Sequence, residues 1–174
     1  AVQVFYEKDF RSAKLQDIAR LADVSASLLY SYFENKEKLF EGVVSSAPFD
    51  FNRIAREEES IIADTPSERY QIAAEGPLLN MLAHHKLLVI LIDKSQGTAY
   101  EHAKDDFVES IERHIRYMVN ERASLRYPDL LAHVLASNFV ESLMEVARHY
   151  SNEDEARDML ALIAQCYYEG VNSL

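Results

Sequence analysis

Residues 13–40, AKLQDIARLADVSASLLYSYFENKEKLF, constrain this chain more than any other stretch. They spell a short helical pattern, a three-residue turn and a second short helical pattern, with a fresh helix start behind it. Leu15, Ile18, Ala19 and Ala22 recur at helical spacing over 14–22. Ser25 offers a hydroxyl N-cap to the second helix, where Leu28, Leu29, Tyr32 and Phe33 are expected to supply the buried stripe. Isolated helices under about 12 residues are marginal in water. Two this short must share a core, and a three-residue connection forces a steep crossing angle. That is a helix-turn-helix, whose second helix is shaped to enter the major groove of DNA. Side-chain sizes agree: Ala19 is small where the helices would touch, and Val24 closes the core after the turn. Asp23 occupies the turn position that usually needs positive φ, which glycine adopts most easily and aspartate tolerates.

The continuation is more specific. With FYEKDF (5–10), DIARLADVS (17–25) and LLYSYFENKEKLFEGVV (28–44), the stretch resembles the TetR family of bacterial transcriptional regulators. The hallmark is Leu29-Tyr30, then Tyr32-Phe33, then Lys36-Glu37 and Leu39. The remainder fits that family's all-helical regulatory domain by length and pattern, and LIDKSQGTAYE (91–101) looks like the segment joining two of its core helices. The expected fold is therefore all-α with about nine helices. An N-terminal three-helix helix-turn-helix domain is expected over 1–46, and a C-terminal helical ligand-binding and dimerisation domain over 47–174. Asp9 and Asp23 depart from the family's usual glycines and add negative charge near the presumed groove.

Composition sets the outer limits. With 174 residues the chain can bury a full core, and four Gly, four Pro and no Trp favour long helices over many short strands. No window holds 18 consecutive apolar residues, so no membrane span is expected. There is neither an initiating Met nor a signal-peptide pattern, and the opening AVQVFYEKDF reads as the back half of a helix, which predicts a further segment upstream. The single cysteine, Cys166, excludes an intrachain disulfide, suits a reducing cytoplasm, and is expected to be packed in the apolar stripe of its helix.

A net charge of −11 is unusual for a DNA binder until it is divided. Residues 1–46 carry six Lys/Arg against seven Asp/Glu, a net of −1; residues 47–174 carry 12 against 22, a net of −10. The larger part would repel a duplex and direct it to the N-terminal end. Phosphate affinity there rests on a few placed cations, not on a broad basic patch.

Further along, Asn35 can cap a helix starting at Lys36, and Pro48 predicts a break at Ala47. Helical pattern resumes to about Ile62, and Thr65-Pro66-Ser67-Glu68 is a capping box with proline at the first helical position. The next helix is interrupted near Gly76-Pro77. KLLVILI (86–92) has no partner strand elsewhere and reads as a short buried helix ending around 95–97. Phe107, Ile111, Ile115, Met118 and Arg122 mark one face of a later helix. From Pro128, Leu131, Leu135, Phe139, Leu143 and Ala147 form one stripe, and Val134, Val140, Met144 and Val146 cover much of the rest. Asn152-Glu153-Asp154-Glu155 caps a last helix with Met159, Leu160, Ile163, Cys166 and Tyr167 on its buried side. A helix apolar on two sides needs two neighbours. Two such C-terminal helices predict a homodimer through a four-helix bundle, with Leu131, Leu135, Phe139, Leu143, Met159, Ile163 and Tyr167 at the interface. The resemblance implies the same interface.

The outward positions of the second helix of the motif are Ser25, Ala26, Ser27, Leu28, Tyr30 and Ser31, a face with no charge. It holds no Arg or Lys for guanine and no Asn for adenine, so discrimination falls to hydroxyls, to Tyr30, and to apolar contact of Ala26 and Leu28 with thymine methyls. Gln16 stands where some family members reach a base. The resemblance implies that Tyr32 and Lys36 contact phosphate, Lys36 at a helix N-terminus; Lys14 is expected to do likewise. It also implies a ligand pocket among the middle helices, for which Tyr70, Met81, His84, Leu88, Tyr100, Phe107, Ile111, His114, Phe139 and Met144 are the candidates. Aromatic and methionine side chains suit a mostly apolar effector with a few polar handles. His84 and His85 point about 100° apart on a helix, and no Cys or acidic partner stands at ligand spacing, so neither a metal nor a cofactor is expected. No nucleophile elbow, phosphate loop or dinucleotide fingerprint is present, which argues against an enzyme. The expected function is a ligand-responsive repressor of a palindromic operator, binding double-stranded DNA as a homodimer and released by a small-molecule effector. The alternative is a small-molecule-binding or protein-interaction module of the same fold with weak or no DNA binding.

Overall fold

The computed structural model describes residues 1–62, 65, 68, 72, 74–122 and 128–172. The fold is all-helical, with no strand and ten α-helices among those residues. It divides into two compact units, 1–48 with 84–104, and 49–83 with 105–174.

The first unit opens with α1 (Val2–Glu7), α2 (Leu15–Leu21), α3 (Ala26–Tyr32) and α4 (Lys36–Val44). Its core is built on three phenylalanines. Phe40 meets Phe5 edge-on at 5.1 Å and Phe10 at 5.2 Å, and Val4, Ala13, Ile18, Leu39, Val43 and Val44 close around them. Such aromatic pairs contribute about 0.5–1.5 kcal/mol each beyond their buried area. Residues 84–104 belong to this unit although they lie far along the chain. The KLLVILI run forms a helix, numbered below as α7 (His85–Asp93), whose Ile90 enters the same core. Lys86 donates to Gln3 at 2.9 Å, and Phe10 N donates to the Lys94 carbonyl at 2.9 Å. The helix ends at Asp93 with Lys94 as its C-cap, short of the expected 95–97, and Gly97 follows with φ +85 beside the Arg11 side chain.

The second unit holds α5 (Phe51–Ser60), a π-helical turn (Ala74–Leu78), α6 (Leu79–Ala83), α8 (Ala103–Arg122), α9 (Leu130–Arg148) and α10 (Glu153–Asn172), α8 beginning two residues before the unit does. The break at Pro48 is present, and Asp50 starts α5 by accepting from Arg53 N at 2.8 Å. Thr65 accepts from Glu68 N at 3.1 Å, the expected cap. Pro77 lies inside the π-helical turn, because a residue without an N–H cannot complete the regular ladder. Phe51 stacks on Phe107 at 4.0 Å, with Ser110 donating to the Phe51 carbonyl. α6 and the π-helical turn pack on α10, as does α9.

α9 has a mean hydropathy of 1.3 over its best 18 residues, long and apolar enough by composition to cross a membrane. It buries Ala132, Ala136, Phe139, Val140, Leu143, Met144 and Ala147 within its own unit. Arg148 ties its end to Glu141 and Glu145 at 2.5 and 2.6 Å.

Two expectations for the C-terminal helix need correcting. Met159 is 40% exposed, and Cys166 is exposed rather than packed, because the described residues of the chain leave that side of α10 uncovered. Leu160 is buried as expected and Ile163 half-buried. Tyr167 and Met118 have side chains outside the described residues.

Candidate nucleic-acid interface

Helix α2 ends on Ala22, and Asp23 then turns the chain with φ 54, the left-handed conformation its position in the pattern predicted. Val24 N reaches back to the Ala19 carbonyl at 3.0 Å, so the turn closes on the small residue between the helices. Ser25 caps α3 by accepting from Leu28 N at 3.1 Å, and Asn35 caps α4 by accepting from Lys38 N at 2.9 Å. Both caps fill orphan N–H groups at a helix start, typically worth about 1 kcal/mol each.

Helix α3 buries none of its residues fully. Leu29 and Phe33, four apart, lean on the core, and Phe33 lies so close to α4 that a Cβ on Gly42 would meet its ring at 3.3 Å. The four-residue inward stripe expected from the sequence is therefore wrong at two places. Leu28 is 45% exposed and Tyr32 76% exposed, so of the expected stripe Leu29 and Phe33 make the contact with the core. Tyr30 is 55% exposed; Ser25, Ser27 and Ser31 are exposed and Ala26 half-buried. The outward set thus stands together on one capped, uncharged helix. Ser31 donates its hydroxyl to the Leu28 carbonyl at 2.7 Å, so part of the polar capacity of that face is turned inward.

The cations around α3 are mostly engaged. Asp17 takes Lys8 and Arg20, each at 2.8 Å, and Lys38 pairs with Glu41 at 2.7 Å. The Lys8 hydrogen bond, helped by the Lys8 and Arg20 charges, holds the Asp17 carboxyl below its usual range. Lys36 sends its ammonium to the carbonyls of Ala13 at 3.1 Å and Arg11 at 3.3 Å, over the Phe10 ring at 4.5 Å. One N–H of that group is left for an outside acceptor. Lys14, at the N-cap position of α2, is exposed and makes no ion pair among the described residues, and Gln16 is exposed beside it.

Asp9 is explained by the turn after α1. It accepts from Ser12 N at 2.7 Å, which also lowers its pKa, and no glycine-like backbone is needed there. That hydrogen bond carries no sequence signal beyond an Asp three residues before a Ser. The Lys36 clamp was likewise invisible, since it spans 23 positions.

The residues expected to line a pocket fall in both units. His84, Leu88 and Tyr100 lie in the first, where Leu88 is fully buried and Tyr100 packs on Phe40 at 6.3 Å. Met81, Phe107, Ile111, His114, Phe139 and Met144 are all buried in the second. Tyr70 lies outside the described residues. Of the expected dimer residues, Phe139 and Leu143 are buried within the chain, which removes them from any outer face, and Leu131 and Leu135 are half-buried. Among the described residues, the large exposed apolar side chains of α9 and α10 are Leu130, Val134 and Leu162, with Met159 of the expected set.

Residues 1–43 match the family model of bacterial regulatory proteins of the tetR family. The whole chain is similar to a TetR-like transcriptional regulator from Rhodococcus sp. RHA1, at 20% identity and a TM-score of 0.67, over 99% of this chain and 92% of the other. It is similar to the TetR family transcriptional regulator PfmR from Thermus thermophilus, at 17% identity and a TM-score of 0.66, over 94% of both chains. A third likeness is to the transcriptional regulator FadR from Bacillus subtilis in complex with stearoyl-CoA, at 15% identity and a TM-score of 0.57, over 94% of both chains.

Proposed function

We propose, from the match of residues 1–43 to the tetR family model and from a fold similar to that of TetR-like regulators, that the chain is a ligand-responsive repressor acting as a homodimer on a palindromic operator. The observation that carries the reading is α3: a capped helix with Ser27, Leu28 and Tyr30 turned outward beside an abrupt left-handed turn. Base edges meet Ser25, Ala26, Ser27, Leu28, Tyr30, Ser31 and Gln16; phosphates meet Lys14, Tyr32 and the remaining N–H of Lys36.

Two reading heads are joined through α9 and α10, where Leu130, Val134, Met159 and Leu162 leave apolar surface that a second copy covers. The effector is a small apolar or amphipathic molecule held in the second unit among Met81, Phe107, Ile111, His114, Phe139 and Met144. It acts only through its different affinities for the DNA-competent and DNA-incompetent states. The FadR regulator with stearoyl-CoA supports an acyl thioester as the first probe.

The test is a mobility shift with the DNA upstream of the chain's own gene. Retardation that survives excess random duplex and is reversed by stearoyl-CoA or a shorter acyl-CoA supports the reading. Saturable acyl-CoA binding without any retarded DNA supports the alternative of a binding module that has lost its operator.

A further inference from the structure

We propose that this regulator reads a thymine-rich half-site, discriminating bases chiefly by the C5-methyl groups of thymine and not by hydrogen bonds; the inference rests on the DNA-binding reading above. α3 is ASLLYSY, without the arginine or lysine that recognises guanine and without an amide for adenine. Its serine hydroxyls are partly engaged and do not single out one base. Ser25 Oγ takes the Leu28 N–H, and Ser31 gives its only proton to the Leu28 carbonyl. Ser27 is exposed, but a serine hydroxyl donates and accepts alike and pairs with either kind of base edge.

What the face does offer is apolar surface. Leu28 is 45% exposed and Tyr30 55% exposed, and Ala26, one turn before Tyr30, is half-buried. In the major groove the one apolar feature of a base pair is the thymine methyl. Gln16, exposed on α2, points the same way, because the bidentate partner of an amide is adenine, the other half of the same base pair. Covering a methyl group is worth on the order of three- to fourfold in affinity, so three contacts give useful discrimination without a charge on the reading helix.

Selection of the full chain against a random duplex library supplies the site, and each thymine of the enriched half-site is then replaced by deoxyuridine, which removes the methyl alone. The expected result is an A·T-rich site in which two or three substitutions each weaken binding about three- to fourfold, with the dependence on salt unchanged. In Leu28→Ala, the penalty at one thymine disappears while the other penalties remain. Leu28 is exposed enough for that variant to keep its fold, which its far-ultraviolet spectrum checks. An enriched site that tolerates deoxyuridine throughout, or that centres on guanine, overturns this inference and leaves the regulator standing. No enriched site overturns the DNA-binding reading and this inference with it.

Discussion

Lys36 Nζ lies 3.1 Å from the Ala13 carbonyl oxygen, so the first residue of α4 holds the chain just before α2. The same ammonium reaches the Arg11 carbonyl and covers the Phe10 ring. Charged hydrogen bonds contribute about 1.5–3 kcal/mol, and the ammonium over the buried Phe10 ring adds about 0.5–2 kcal/mol. Lys36→Ala is therefore expected to lower the thermal midpoint by several degrees and to weaken binding to all DNA sequences alike. Lys14→Ala is expected to lower the salt slope of binding by about one unit with the midpoint unchanged. Calorimetry paired with salt-titrated binding checks both; a Lys36→Ala protein that melts with the parent would remove the clamp.

Asp23 holds a backbone conformation that costs most L-residues roughly 1–2 kcal/mol. Asp23→Gly is expected to leave stability within about 1 kcal/mol of the parent, and to tighten DNA binding by removing a negative charge beside the groove. Asp23→Val is expected to destabilise by about 1–3 kcal/mol. Urea denaturation of the two variants is the check, and equal midpoints would mean that the turn carries no such constraint.

Glu112 joins α8 to α9. It accepts from Arg116 at 2.7 Å and meets His133 Nδ1 at 2.9 Å, and these partners, Arg116 first, hold its carboxyl below the usual range. A carboxyl depressed in the folded state contributes stability that is complete above its unfolded pKa and is lost as pH falls through the folded one. The loss attributable to Glu112 is thus expected below about pH 4.5, near the ordinary glutamate value and beneath it. Glu112→Gln should flatten the acid limb of a stability–pH profile there; an unchanged limb would assign acid unfolding to other groups.

Leu162 is 56% exposed on α10, and Val134 is 43% exposed on α9. If a second copy covers this surface, Leu162→Glu buries an unpaired charge at the contact and is expected to give monomers by sedimentation at micromolar concentration. A variant that remains dimeric would move the interface elsewhere.

Local features of the chain were legible because local rules produce them. Ser25 and Asn35 cap the helices they precede, Asp23 takes positive φ, and Pro77 disrupts a helix, each within a few residues of its cause. What escaped depends on packing across long separations. The expected inward stripe took in Leu28 and Tyr32, yet both stand outward, as their other expected roles at a base edge and a phosphate require. Nothing near KLLVILI says that its Ile90 completes the core around Phe5 and Phe40. Amphipathic period alone also could not tell which stripe of α9 is buried within the chain, and Phe139 and Leu143 proved internal.

The most direct measurement is a nuclease footprint of the full chain on the DNA upstream of its own gene. Two protected tracts in inverted repeat, their centres one helical turn of roughly 10–10.5 base pairs or a multiple apart, are predicted, and are lost when Leu28 and Tyr30 are both changed to alanine. Uniform cleavage at saturating protein, or protection indifferent to those two side chains, would contradict the account of α3 as the reading helix.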